Sequence, residues 1–260
     1  MFELLTIIDA IALGIIQGIT EWLPVSSSGH LAAAQELFGL KATLFFDVVL
    51  HLGTVAVVVL VFRKDIVGIT RSVLRRDFKS MEGRLFLFIL LGSVPTALIG
   101  FFFHDMFALF FMNTLVVGLA LIANGFVLIF SERRKGRRDL GWKDSLLIGT
   151  AQGIAIIPGI SRSGLTISAG LLQGVRKEAV ARYSFLLMLP AVMGALIFEA
   201  GLLNWSEIDM GSMFAGFAAS LAVGYLSLRF LLRIIMRSQF HRFAYYCWFA
   251  GLVLIAVSLF

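Results

Sequence analysis

A chain of 260 residues that is 59% apolar and 15% charged, with a mean hydropathy of +0.94, carries too little polar surface for a soluble domain, in which about a quarter of residues are charged. Its single cysteine, Cys247, excludes a disulfide-stapled secreted fold. The formal net charge of +6 does not point to nucleic acid, because the basic residues fall in short segments between long apolar runs, the positive-inside signature of membrane proteins.

The first segment carries Glu3 and Asp9 in place of a basic leader, so it is read as part of the mature protein and not as a cleaved signal. Residues 7–34 are apolar but broken by Pro24-Val25-Ser26-Ser27-Ser28-Gly29. Spans are then predicted at 44–62, 85–103 and 112–130, each long enough to cross a hydrocarbon core of about 30 Å. A second broken stretch, 145–174, is interrupted by Pro158-Gly159-Ile160-Ser161-Arg162-Ser163-Gly164, and spans at 180–200, 212–230 and 243–260 follow it. Lys and Arg place loops 63–84, 131–143 and 231–242 on the cytoplasmic side. Loops 104–111 and 201–211 carry neither, and the second is acidic through Glu207 and Asp209, so both face outward.

Proline and glycine break a helix at both interruptions. A full crossing by either broken stretch would scatter the basic loops over both faces. Each is therefore read as a re-entrant helix hairpin, one dipping from each side, with its irregular backbone covered by protein or water.

With Gln17 placed over Gln152, Gly14 falls on Gly149, Gly18 on Gly153, Ser26 on Ser161, Ser28 on Ser163 and Gly29 on Gly164. The expected fold is an all-α polytopic membrane protein, an inverted-topology repeat in which each half is one re-entrant helix hairpin plus three transmembrane helices. Residues 1–130 form the first repeat, 131–143 a basic cytoplasmic loop and 144–260 the second repeat, together one membrane domain. Such repeats bring two polar loops together near the midplane.

Ionisable groups at membrane depth are costly and are functional candidates by default. Glu21 lies one turn after Gln17, and Arg162 is the only basic residue inside a hairpin; the two are expected to pair. Ser161, Ser163 and Thr166 around Arg162 make a phosphate cradle. Ser26, Ser27 and Ser28 with His30 could supply a nucleophile and an acid or base. His51, one turn after Asp47, could line the cavity or simply pair with Asp47; His104 and His241 fall in loops. Trp22, Trp142, Trp205 and Trp248 are expected as interface anchors. A carrier of an anionic lipid-linked substrate, with Arg162 and the serines binding and Glu21 coupling protons, is as consistent with these residues as an enzyme.

The run Gln17-Gly18-Ile19-Thr20-Glu21-Trp22-Leu23-Pro24-Val25-Ser26-Ser27-Ser28-Gly29-His30-Leu31, followed by Pro158-Gly159-Ile160-Ser161-Arg162-Ser163-Gly164-Leu165-Thr166, resembles the two signatures of the bacterial undecaprenyl-diphosphate phosphatase family, also called the bacitracin resistance protein family. The resemblance implies hydrolysis of undecaprenyl diphosphate to the monophosphate, which recycles the lipid carrier of peptidoglycan and other envelope polymers. It implies bacitracin resistance, a bacterial plasma-membrane location, a site opening toward the outer face and a divalent cation, Mg2+ or Ca2+. Glu21, Ser27, His30 and Arg162 are then the expected catalytic residues. Gln17, Ser26, Ser28, Ser161, Ser163 and Thr166 would bind substrate, with Glu21 orienting a metal ion or His30. Gln17 stands where the family also uses glutamate, which leaves Glu21 as the motif's sole carboxylate. The expected partners are a polyprenyl diphosphate and membrane lipid, with no nucleic acid; a homodimer stays open.

Overall fold

The computed structural model describes residues 5–40, 42–111, 113–132, 136–200 and 209–259. Trp205, Glu207 and the basic run Arg133, Arg134 and Lys135 lie outside them. The described residues form twelve α-helices and no strand. Five helices are long and apolar enough to cross a membrane: α5 (Met81–Phe102), α7 (Thr114–Ser131), α10 (Lys177–Ala200), α11 (Met210–Met236) and α12 (Phe243–Ser258). A sixth candidate is α3 (Leu44–Val61), taken together with the helix that bends away from its end. The predicted spans thus coincide with α3, α5, α7, α10, α11 and α12.

Inside the expected basic loop 63–84, α4 (Arg63–Leu74) turns away from α3 by 77°. Arg63, Lys64 and Arg71 made this stretch look like a loop, but a basic amphipathic helix lies comfortably along a membrane surface. Asp65 on α4 pairs with Arg182 on α10 at 2.6 Å and pins the helix to the bundle. The expected outer loop 104–111 is likewise a short helix, α6 (His104–Phe111).

Both interrupted stretches are helix–break–helix units: α1 (Ile7–Thr20) with α2 (Ser27–Leu37), and α8 (Trp142–Ile154) with α9 (Arg162–Leu172). Their starts are locally encoded. Thr6 Oγ1 accepts from Asp9 N at 3.2 Å while Asp9 Oδ2 accepts from Thr6 N at 3.1 Å, a capping box for α1. At α8, Asp144 Oδ2 accepts from Gly141 N at 2.8 Å. Ser26 caps α2 through Gly29 N at 3.4 Å, and Ser161 caps α9 through Gly164 N at 3.0 Å.

Packing runs between the halves. Helix α1 lies along α11, and α8 along α5; α3 packs on both α10 and α11, α7 on α12, and α9 on α7. The closest approaches are at glycines. A Cβ on Gly14 would sit 2.5 Å from Gly216 O, and one on Gly149 2.0 Å from Gly92 O. Small residues that let backbones touch are the usual means of joining helices in lipid. The core between them holds Trp22, Tyr183, Phe185 and Leu187, all fully buried. Trp22 is therefore no interface anchor; it packs edge-on against Phe185 with ring centroids 5.4 Å apart. Trp142 is more than half exposed at the start of α8.

Candidate functional site

The two helix breaks meet. Ser26 holds a left-handed backbone, φ 69°, rare for a non-glycine residue, and its hydroxyl accepts from Gly159 N across the break at 3.0 Å. Gly159 itself has φ 93°, and a Cβ there would lie 2.4 Å from Val117 O. Ser163 Oγ donates to Trp22 O at 2.9 Å, and Asn124 of α7 joins both breaks, donating to Pro24 O at 2.9 Å and accepting from Ser161 N at 3.3 Å.

Glu21 is the hub of the resulting pocket. Its carboxylate, 6% exposed, accepts from Ser27 Oγ at 2.6 Å and from Gln17 Nε2 at 3.0 Å. Arg162 Nη2 binds its other oxygen, and His51 Nε2 stands 3.4 Å away. Removing either charge of such a pair leaves the other buried and unopposed, which is costly. The expected pairing of Glu21 with Arg162, and Gln17 on the face of Glu21, are therefore seen, while the contact of Ser27 with Glu21 was not foreseen and His51 was underrated. Its Nδ1 lies 2.8 Å from the Asp47 carbonyl, which can only accept, so Nδ1 carries a proton. A second proton on Nε2 would let the ring donate to Glu21 as well. Only the backbone of Asp47 serves His51; its carboxylate accepts from Gln35 Nε2 at 2.9 Å.

Two atoms in the pocket are buried without a partner among the described residues: Arg162 Nη1, a donor, and Gln17 Oε1, an acceptor. Buried polar atoms are nearly always satisfied. A buried guanidinium N–H without an acceptor, on the residue that shares Glu21 with Ser27, is a group that an oxyanion would satisfy.

The other expected residues are placed differently. His30 is not among the partners of Glu21. Its Nδ1 donates to Ser26 O at 2.7 Å, leaving Nε2 to accept from Tyr246 OH of α12 at 2.6 Å. The two rings stack at 5.7 Å. His30 lines an apolar groove of roughly 300 Å³ between α1 and α2, together with Ile16, Ile19, Ala33 and Leu37. Ser28 is half-buried with its hydroxyl 3.3 Å from that of Ser26. Ser161, Ser163 and Thr166 do not line an open cradle. All three are buried, and Thr166 Oγ1 is bound to Arg162 O at 2.7 Å and Ser184 Oγ at 2.5 Å. They fasten the second hairpin to its surroundings and hold the backbone that carries Arg162.

No group of three or more His, Cys, Asp or Glu side chains that could hold a metal ion exists among the described residues. The acceptors the pocket offers are Gln17 Oε1 and Glu21, whose oxygens are already engaged by donors.

Twelve helices, several long enough to span a bilayer, and a buried carboxylate–guanidinium pair between two broken helices define a polytopic membrane protein with a polar site inside its membrane domain. The sequence profile described as Bacitracin resistance protein BacA matches residues 10–253, and the chain belongs to that family. Similar proteins include one called undecaprenyl-diphosphatase from Carboxydothermus hydrogenoformans, 41% identical over 260 residues, covering 96% of this chain and 97% of the relative. Another of that name, from Halothermothrix orenii, is 42% identical and covers 97% of this chain and 98% of its own. A third, from Korarchaeum cryptofilum, is 38% identical, with 96% and 99% covered.

Proposed function

We propose that this chain hydrolyses undecaprenyl diphosphate to undecaprenyl phosphate and inorganic phosphate, regenerating a lipid carrier for envelope polymers and so conferring bacitracin resistance. The observation that supports the reading is the cluster at Glu21: a serine hydroxyl and a guanidinium with one unpartnered N–H bind the two oxygens of one buried carboxylate, in a relative of proteins named undecaprenyl-diphosphatase. Arg162 binds the terminal phosphoryl group through Nη1 and stabilises charge on its oxygens. Ser27 Oγ attacks the phosphorus and passes its proton to Glu21. The bond to the bridging oxygen breaks, and undecaprenyl phosphate leaves. Water then hydrolyses the phosphoserine, and the Glu21 proton is released with the products. His51 tunes and orients Glu21. His30, which lines the apolar groove, is the acid–base group nearest the departing lipid phosphate, and the prenyl chain lies along that groove. A divalent cation, Mg2+ or Ca2+, taken up with the diphosphate would neutralise its charge; Gln17 Oε1, and Glu21 after release of a donor, are the atoms this chain would bring to it.

The exchange of partners between halves supports the inverted repeat: α1 on α11 answers α8 on α5, and Gly14 against Gly216 answers Gly149 against Gly92. Together with the basic loops, it supports a first hairpin that opens toward the outer face of a plasma membrane. Labelling Thr6→Cys and Lys143→Cys, both at exposed positions, from opposite faces of sealed vesicles tests this; Cys247 is buried and silent.

The activity is tested by phosphate release from undecaprenyl diphosphate by the purified protein in detergent, with and without EDTA. A ³²P-phosphoserine at position 27 is expected on rapid acid quench. Single inversion at a chiral phosphorus would replace Ser27 by water as the nucleophile. No release by folded protein supplied with metal would turn the reading to a carrier of the same lipid.

A further inference from the structure

At the C-terminal end of α11, beyond Gly224 where Trp22 of the first hairpin packs, a second concave site is built from charge. Helix α11 has 27 residues, about 40 Å at 1.5 Å per residue, so it outruns a hydrocarbon core of about 30 Å. Its last turns and the start of α12 enclose a cleft of roughly 330 Å³ that gathers Arg233, Arg237, Arg242 and Gln239 between apolar walls from Phe230 and Phe243. None of the three guanidinium groups forms a hydrogen bond or ion pair with a described residue. Glu132, the carboxylate beside this turn, is taken by His241 Nδ1 at 2.5 Å and Phe240 N at 3.2 Å.

Arg233 and Arg237 alone would be ordinary, since cations favour the end of a helix. Arg242 is not. It occupies the N-cap of α12, where no side-chain cap bond is made, and a cation there opposes the helix dipole. Two helix ends therefore place three exposed like charges around one hollow, and no described residue pairs with them. A phosphate group seated in the cleft would be held by the three guanidinium groups together. Its source is indicated by the walls. Phe230 is 52% exposed, and Leu226 and Phe249 nearby are 68% and 67% exposed, so the cleft opens onto a lipid-facing surface rather than into water alone.

We propose that this cleft is a binding site for the phosphate headgroup of an anionic membrane phospholipid, its acyl chains lying against Phe230 and the outer faces of α11 and α12. By its arginines the site lies at the cytoplasmic surface, and it is independent of the reaction at Glu21. The test uses the full-length protein in nanodiscs of phosphatidylcholine with a graded fraction of phosphatidylglycerol, with bound lipids counted by native mass spectrometry after release. Two triple variants are compared: Arg233→Gln/Arg237→Gln/Arg242→Gln, and Arg71→Gln/Arg75→Gln/Arg76→Gln, which removes the same charge from the α4 region. Each arginine near a bilayer surface contributes roughly a fivefold factor in binding anionic lipid. Apparent phosphatidylglycerol affinity should therefore fall on the order of a hundredfold in the first triple, while the control keeps its tightest lipid. Arg237→Gln alone, on the exposed rim, should give roughly a fivefold loss and carries the comparison should the triple not fold. Equal losses in both triples would reduce the cleft to diffuse surface attraction and overturn the proposal. Competition by millimolar inorganic phosphate would overturn it in favour of a soluble anion.

Discussion

Positions 27 and 162 occupy the same place in the two hairpins, and the same local structure surrounds them. Each follows a capping serine, Ser26 or Ser161, and precedes a second serine whose hydroxyl lies 3.3 Å or 3.2 Å from the cap. Each opens a helix, and each reaches Glu21: Ser27 binds one carboxylate oxygen and Arg162 the other. What differs is the residue type. The first hairpin also carries Glu21 and His30, where the second has Ile156 and Leu165. Its Ser27, Ser28 and His30 are half-buried, whereas Ser161, Ser163 and Thr166 are wholly enclosed. The scaffold is thus repeated and the chemistry is not. In the proposed reaction one hairpin supplies the nucleophile and the base, and the other supplies the single charge that pairs with that base.

The division is most exposed at Ser27. Ser27→Ala removes the attacking oxygen while leaving Glu21 its remaining donors. It should lower kcat on the order of 10⁴-fold or more and abolish the phosphoserine. A variant within tenfold of the parent would show that the first hairpin does not supply the nucleophile.

Arg162→Ala should follow, with a loss of about 10³-fold in kcat/KM, the size expected when one preorganised charge stabiliser is removed. Arg162→Lys restores a charge but not the two-pronged geometry, so it should recover only part of that loss. If alanine and lysine behaved alike, Arg162 would be acting through shape and the second hairpin would contribute no charge to the reaction.

His51→Ala sharpens the comparison from outside both hairpins. His51 reaches Glu21 and would act through it, as a positioning residue. Its loss should lower kcat about 10²-fold with little change in KM. Equal changes in both constants would mark a binding role instead.

These residues also show what a sequence can carry. The breaks at Pro24 and Pro158, the spans and the Glu21–Arg162 pair follow from local rules: helix breakers, apolar length and the cost of an isolated charge in lipid. His51 does not. Its visible pattern is one helical turn from Asp47, and that spacing is satisfied by the Asp47 backbone carbonyl. The contact with Glu21 spans 30 residues of sequence and depends on how α3 packs against the first hairpin. The inward turn of Ser163 and Thr166 was hidden for the same reason, since their partners Trp22 and Ser184 lie on other elements. In α4, basic residues hid a helix because a charge run between spans looks the same coiled or extended.

The smallest effect contrasts the two hairpin starts. Asp9 and Asp144 occupy matching positions, each the third residue of its helix, and each bonds a backbone N–H at the cap. Only Asp144 has a cation: Arg138 grips it with two bonds of 2.6 Å. Burial opposes ionisation of Asp144, but Arg138 and the Gly141 amide outweigh it and hold the carboxyl below its ordinary range. A carboxyl lowered in the folded state stabilises the fold above its unfolded value of about 3.9 and loses that contribution as the pH falls through it. Because Arg138 is half exposed, screening by water limits the effect to about 1 kcal/mol. Thermal unfolding in detergent should therefore find Asp144→Asn less stable than the parent at pH 7, with the gap closing as the pH is lowered past about 4. Asp9→Asn, lacking an arginine partner, should cost about half as much at pH 7. Equal losses would mean that the cap alone, and not Arg138, anchors the second hairpin at its basic loop.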